Sequence, residues 1–106
     1  MITIFNPIGI LDGTKAKQLH LEMNDAMTSG STIALIDMQA VTLIDSSALG
    51  ELVIMLKAMQ ARGGELCFCS VGQQPQMVFE LTGMEKVFQV FHNLDEVKQQ
   101  KSMRSY

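Results

Sequence analysis

Short runs of branched apolar residues alternate with stretches of helical periodicity along the whole chain. That alternation limits the fold more than any other feature. Residues 32–37 (TIALID) and 65–71 (ELCFCSV) are nearly all apolar, the pattern of strands covered on both faces, as in a parallel sheet. Between and around them the period lengthens. Ala16, Leu19, Met23, Ala26 and Met27 fall on one stripe of a helix over residues 15–28, which Ser29-Gly30-Ser31 closes. Residues 41–44 read as a short extended piece. A second helix opens at 45–48 and carries Leu49, Leu52, Val53, Leu56 and Met59 at helical spacing, with Gln60 as the polar interruption; Arg62 and Gly63-Gly64 end it. A third helix spans 74–81, with Pro75 in its first turn and Thr82-Gly83 as its stop. A strand at 87–91 and a helix at 94–101, capped by Asn93, complete the order, and 102–106 reads as a frayed tail.

Strands alternating with helices predict an α/β domain with a largely parallel sheet. At the start, Ile2, Ile4, Ile8 and Ile10 alternate around Pro7 and Gly9. Proline has no N–H for a ladder, so this segment reads as two short strands or one broken edge strand, free to run antiparallel at the sheet edge. A length of 106 residues predicts one domain, 1–106, with no internal linker or repeat. An apolar content of 47% excludes a disordered tail.

Charge and motif content narrow the function. Eight basic against eleven acidic side chains give a net charge of −3, which argues against direct nucleic-acid binding through bulk charge. No apolar run is long enough for a membrane span. The N-terminal residues MITIFN lack a basic stretch before their apolar part, which argues against a signal peptide. With two cysteines and no such signal, the expected compartment is a reducing, cytoplasmic one. Neither G-x-x-x-x-G-K-[ST] nor G-x-G-x-x-G is present, so no cofactor is implied. His20 and His92 have no local partner at ligand or triad spacing and read as surface or satisfied side chains. Cys67 and Cys69 lie two apart on a strand, roughly 7 Å between neighbours on one face, too far for an easy disulfide. With no further ligands suggested, no metal site is implied, and buried thiols are expected. Nothing pairs a base with a nucleophile, so no catalytic residue and no enzyme activity are expected. Of the nine methionines, Met23, Met27 and Met59 fit core stripes, whereas Met38 and Met55 fit less well and read as exposed.

One segment carries more than architecture. Asp45-Ser46-Ser47 stands between a buried strand and a helix. A single Asp or Ser would serve as N-cap, yet three polar residues stand in a row. Loops after strand C-termini are where sites collect in α/β sheets. A hydroxyl there faces the positive end of a helix, which tolerates a phosphoryl group.

At this point the chain resembles the STAS-domain anti-sigma factor antagonists. The resemblance rests on Gly9-Ile10-Leu11-Asp12, Ile36-Asp37, Ile44-Asp45-Ser46-Ser47-Ala48-Leu49-Gly50, Gly63-Gly64-Glu65-Leu66 and Leu81-Thr82-Gly83-Met84. It implies a STAS fold, a small mostly parallel or mixed sheet with about four helices packed on it. It also implies a bacterial partner switch that regulates transcription. In such families the unphosphorylated antagonist binds an anti-sigma factor that is also a serine kinase of the GHKL type. Phosphorylation of the serine after the motif aspartate releases the complex, and a PP2C-type phosphatase resets it. On this sequence the acceptor is Ser46, with Ser47 as second choice and as a neighbour able to cap the helix. Asp12 matches the acidic residue near the acceptor. The partner would meet Asp12, Gly13, Asp45, Ser46, Ser47, Ala48, Leu49 and Glu51. Ala48 stands where the family usually has Gly, which would serve a partner needing close backbone approach less well. The rival expectation is a fixed STAS subunit of a larger lipid-transport or stress-sensing assembly, with the three polar residues as a cap only.

Overall fold

The computed structural model describes residues 1–102. The expected frayed tail lies outside the described residues, except that Ser102 closes the last helix. The elements follow in the order β1 (Ile2–Phe5), β2 (Gly9–Leu11), α1 (Gly13–Thr28), β3 (Ile33–Asp37), β4 (Val41–Ile44), α2 (Ser46–Ala61), β5 (Glu65–Cys69), α3 (Gln73–Thr82), a 3-10 turn (Met84–Lys86), β6 (Gln89–Phe91) and α4 (Leu94–Ser102).

Four strands form one sheet in the order β1-β3-β5-β6, and every pair is parallel. The expectation that the first strand could run antiparallel is corrected here. Helix α1 lies between β1 and β3, and a helical crossover returns the chain in the same direction. Pro7 marks the break between β1 and β2, so the segment is two short strands. β2 leaves the main sheet and pairs in parallel with β4 in a two-stranded ribbon.

Successive side chains on a strand face opposite ways, and both faces of β3 and β5 are covered. Ala34, Ile36, Leu66 and Phe68 join the core with Ala16, Leu19 and Met23 of α1, Leu52, Met55 and Met59 of α2, and Phe79 of α3. Leu35, Cys67 and Cys69 face the other way, onto Val97 of α4. The near-continuous apolar runs follow from this two-sided cover. Phe68, Phe79 and Phe88 pack edge-on or tilted, with centroids 4.8–5.6 Å apart. Lys101 pins α4 to the sheet, donating to Glu65 Oε1 at 2.7 Å and Gln89 Oε1 at 2.9 Å.

Two expected exposures are overturned. Met38 and Met55 are both fully buried. On α2 the buried stripe is Ala48, Leu52, Met55, Leu56 and Met59. It is rotated away from the Leu49–Val53 edge, whose side chains are half-buried. Met38 follows β3 directly, and its N–H donates to the Cys69 carbonyl of β5 at 2.9 Å. Cys67 and Cys69 are buried thiols. Burial, and then the Asp37 carboxylate, push the Cys69 thiol up, against a weaker lowering by its hydrogen bond with Ser70.

Candidate functional site

Two strand-to-helix junctions lie side by side. β2 and β4 are in register at their last residues, Leu11 opposite Ile44, and each is followed at once by aspartate. Both aspartates are N-caps. Asp12 Oδ1 accepts the Lys15 N–H at 2.9 Å, and Asp45 Oδ1 accepts the Ala48 N–H at 2.8 Å. The junctions are also tied by backbone, with the Asp45 N–H donating to the Leu11 carbonyl at 3.4 Å. The positive ends of α1 and α2 are thus presented together.

Ser46 and Ser47 follow the second cap as the first two residues of α2, and both are exposed. The cap of α2 is Asp45, so Ser47 does not fill the capping place expected for it. Its position is set by packing. A Cβ added at Gly13 would stand 2.8 Å from Ser47 Cβ and 3.7 Å from its Oγ. Gly13 therefore lets the two helix starts approach closely, and Ser47 is the residue that fills the gap. Ser46 neither caps the helix nor fills that contact. Helix geometry leaves the first N–H groups of α2 without intrahelical partners.

The other expected contact residues divide. Asp12 and Gly13 are half-buried, Asp45 is exposed and Leu49 is half-buried, so each keeps surface for a partner. Ala48 does not. Its methyl is fully buried in the core, which corrects its place among the contact residues and removes the expected hindrance to close approach. Glu51 lies on α2 with its Oε1 2.7 Å from His20 Nδ1 on α1, the side chains 13% and 19% exposed. Its carboxylate is engaged in holding the two helices together. His20 is thereby satisfied, and His92 is exposed.

Sequence reasoning missed three features of this corner. The Gly13–Ser47 approach is visible only in three dimensions. Gln74 of α3 donates to the Ile44 carbonyl at 3.2 Å and accepts the Ile44 N–H at 2.9 Å, taking the place of a neighbouring strand beside β4. Ile10 and Leu43, opposite each other in the ribbon, face solvent. Among the described residues no group of three or more His, Cys, Asp and Glu side chains could hold a metal ion. No helix of those residues is long and apolar enough to cross a membrane.

The family model described as the STAS domain matches residues 1–97. The chain belongs to the STAS-domain family. Among its relatives is BtrV of Bordetella bronchiseptica, described as a candidate anti-sigma factor antagonist, 26% identical over 82 residues that make up 77% of this chain and 71% of BtrV. A Thermotoga maritima protein, TM1081, described in the same way, superposes with a TM-score of 0.84 at 22% identity, covering 93% of this chain and 86% of that one. The anti-sigma factor antagonist SpoIIAA superposes in its unphosphorylated form with a TM-score of 0.71 at 16% identity, over 96% of this chain and 89% of SpoIIAA. In its phosphorylated form, described as a Bacillus cell fate determinant, the TM-score is 0.70 at 16% identity, over 92% of this chain and 89% of that one. The structural likenesses establish the shared STAS fold, a small parallel sheet with four helices.

Proposed function

We propose that this STAS domain is an anti-sigma factor antagonist working by partner switching in the bacterial cytoplasm. Unphosphorylated, it binds an anti-sigma factor that is also a GHKL-type serine kinase. Phosphorylation of Ser46 releases that partner, and a PP2C-type phosphatase restores the binding form. The chain itself carries no catalytic step.

The observation that carries the proposal is the surplus hydroxyl. Asp45 caps α2, Ser47 packs on Gly13, and Ser46 remains exposed with no structural duty beside them. The relatives described as anti-sigma factor antagonists, and a SpoIIAA solved with and without phosphate, support the same reading.

The physics of release is local. A phosphate brings about −1.5 to −2 charges and three acceptor oxygens. At the start of α2 the helix dipole and unpartnered N–H groups compensate that charge, so the fold persists. A partner docked over the same helix start meets a bulky charge in a desolvated contact. A thousandfold loss of affinity corresponds to about 4 kcal/mol, and a mispaired buried interfacial charge costs about 2–5 kcal/mol. No large rearrangement is needed. Asp12 and Asp45 add like charge beside the phosphate, whereas Glu51 is taken up by His20.

Titration of the purified kinase with the parent protein, Ser46→Ala and Ser46→Asp tests the proposal. Ser46→Ala should bind and resist phosphorylation. Ser46→Asp should lose the kinase while its circular dichroism matches the parent. Phosphorylation of Ser46→Ala at the parent rate would move the acceptor to Ser47. Undiminished binding of Ser46→Asp and of the phosphorylated parent would leave the domain as a fixed subunit.

A further inference from the structure

The β2–β4 ribbon has one face in the core and one in water. Leu11 and Ile44, in register, are buried at 1% and 4% exposure. Ile10 and Leu43, the in-register pair just before them, are 52% and 44% exposed, and Ile8 beside them is 71% exposed. The register shift between Gly9 and Ile10 sets Leu43 rather than Thr42 opposite Ile10, so the two outward side chains stand as a pair beside the buried Leu11–Ile44 pair. Cross-strand neighbours lie about 5 Å apart, so Ile10 and Leu43 form one contiguous apolar spot. Each precedes a capping aspartate by two residues, within about 7 Å of chain. The spot and Ser46 therefore share one corner of the molecule.

We infer that Ile10 and Leu43, with Ile8 at their margin, are the apolar anchor by which the unphosphorylated domain holds the kinase that modifies Ser46. This rests on the partner-switch reading and adds the contact chemistry of the partner. That surface is apolar where it meets Ile10 and Leu43, with hydrogen-bond donors for Asp12 and Asp45. Anchors of this kind sit at the centre of an interface and carry most of its energy. A phosphate on Ser46 then enters the edge of a water-excluded contact, where a charge is most disruptive. A second copy of this chain is the poorer occupant. A two-fold contact repeats the same patch on both sides and would set Asp12 and Asp45 against their own copies, a like-charge arrangement.

Ile10→Lys and Leu43→Lys test the inference, with Leu81→Lys as control, because Leu81 is 80% exposed on α3 and not part of the ribbon. The probe is the purified kinase, identified by its transfer of phosphate from ATP to Ser46. Isothermal titration should show each ribbon variant weakened by roughly thirtyfold or more, with Leu81→Lys within about twofold of the parent. Both ribbon residues face water, so circular dichroism and melting should match the parent. Parent-like affinity of Ile10→Lys and Leu43→Lys overturns the inference. If Ser46→Asp still loses the kinase in that case, the partner switch stands without this anchor. If Ser46→Asp also binds as the parent does, the switch itself fails. A parent that sediments as a dimer, made monomeric by Ile10→Lys, would instead assign the spot to a second copy and overturn the inference.

Discussion

Two junctions in this molecule are built alike and carry different chemistry. Strand β2 runs into Asp12 and α1, and strand β4 runs into Asp45 and α2. Both aspartates accept an N–H three residues on, at 2.9 and 2.8 Å. After the cap the first junction places Gly13 and the second places Ser46 and Ser47. Glycine at the first lets Ser47 of the second pack in, and Ser46 is left exposed. The comparison teaches that capping does not use up the polar side chains of the second junction. The aspartates hold the helices, and the hydroxyl beside one of them is free for another use.

The sharpest way to break that comparison is to load charge onto the second junction alone. Ser46→Asp should reduce kinase affinity by about a thousandfold, about 4 kcal/mol by titration, with no change in fold. Next in size is the close approach. Gly13→Ala brings a Cβ to 2.8 Å from Ser47 Cβ, and overpacking of that kind costs about 1–3 kcal/mol in chemical denaturation. Ser47→Gly in the same chain should recover much of the loss, and the double-mutant cycle reads the coupling directly. Smaller again are the caps. Asp12→Ala and Asp45→Ala should each cost about 1 kcal/mol; closely matched losses would confirm that the two junctions are structurally equivalent. The least effect belongs to Ser46→Ala, within about 0.5 kcal/mol of the parent, because the hydroxyl holds nothing together.

Much of this was legible in the residues. The two-sided runs at β3 and β5 announced a parallel sheet. The polar triplet before α2 announced a cap with a hydroxyl to spare. The direction of β1 was not legible, because an edge strand pairs on one side only and its own pattern does not reveal its partner. Met55 was misjudged for a different reason. A stripe over Leu49, Leu52, Val53, Leu56 and Met59 differs from the buried one over Ala48, Leu52, Met55, Leu56 and Met59 by a small rotation, and the sheet decides between them. At the site, the start of α2 at Asp45-Ser46-Ser47 could be read from the residues, and Asp12 was set beside it only by the family resemblance. The burial of Ala48, the His20 hold on Glu51 and the fit of Ser47 onto Gly13 depend on residues 31 to 34 positions apart in the chain or on the core as a whole. The Ile10–Leu43 pair was not legible either, because alternation along one strand does not say which strand lies opposite or that a register shift sets Leu43 against Ile10.

The partner switch meets its most direct test in phosphopeptide mass spectrometry of the protein isolated from its own cells, sampled through growth and stress. Phosphate on Ser46 in a fraction of the molecules that varies with condition is the expected result. A peptide carrying Asp45-Ser46-Ser47 that stays unmodified under every condition would contradict it, and phosphate on Ser47 would overturn the assignment to Ser46.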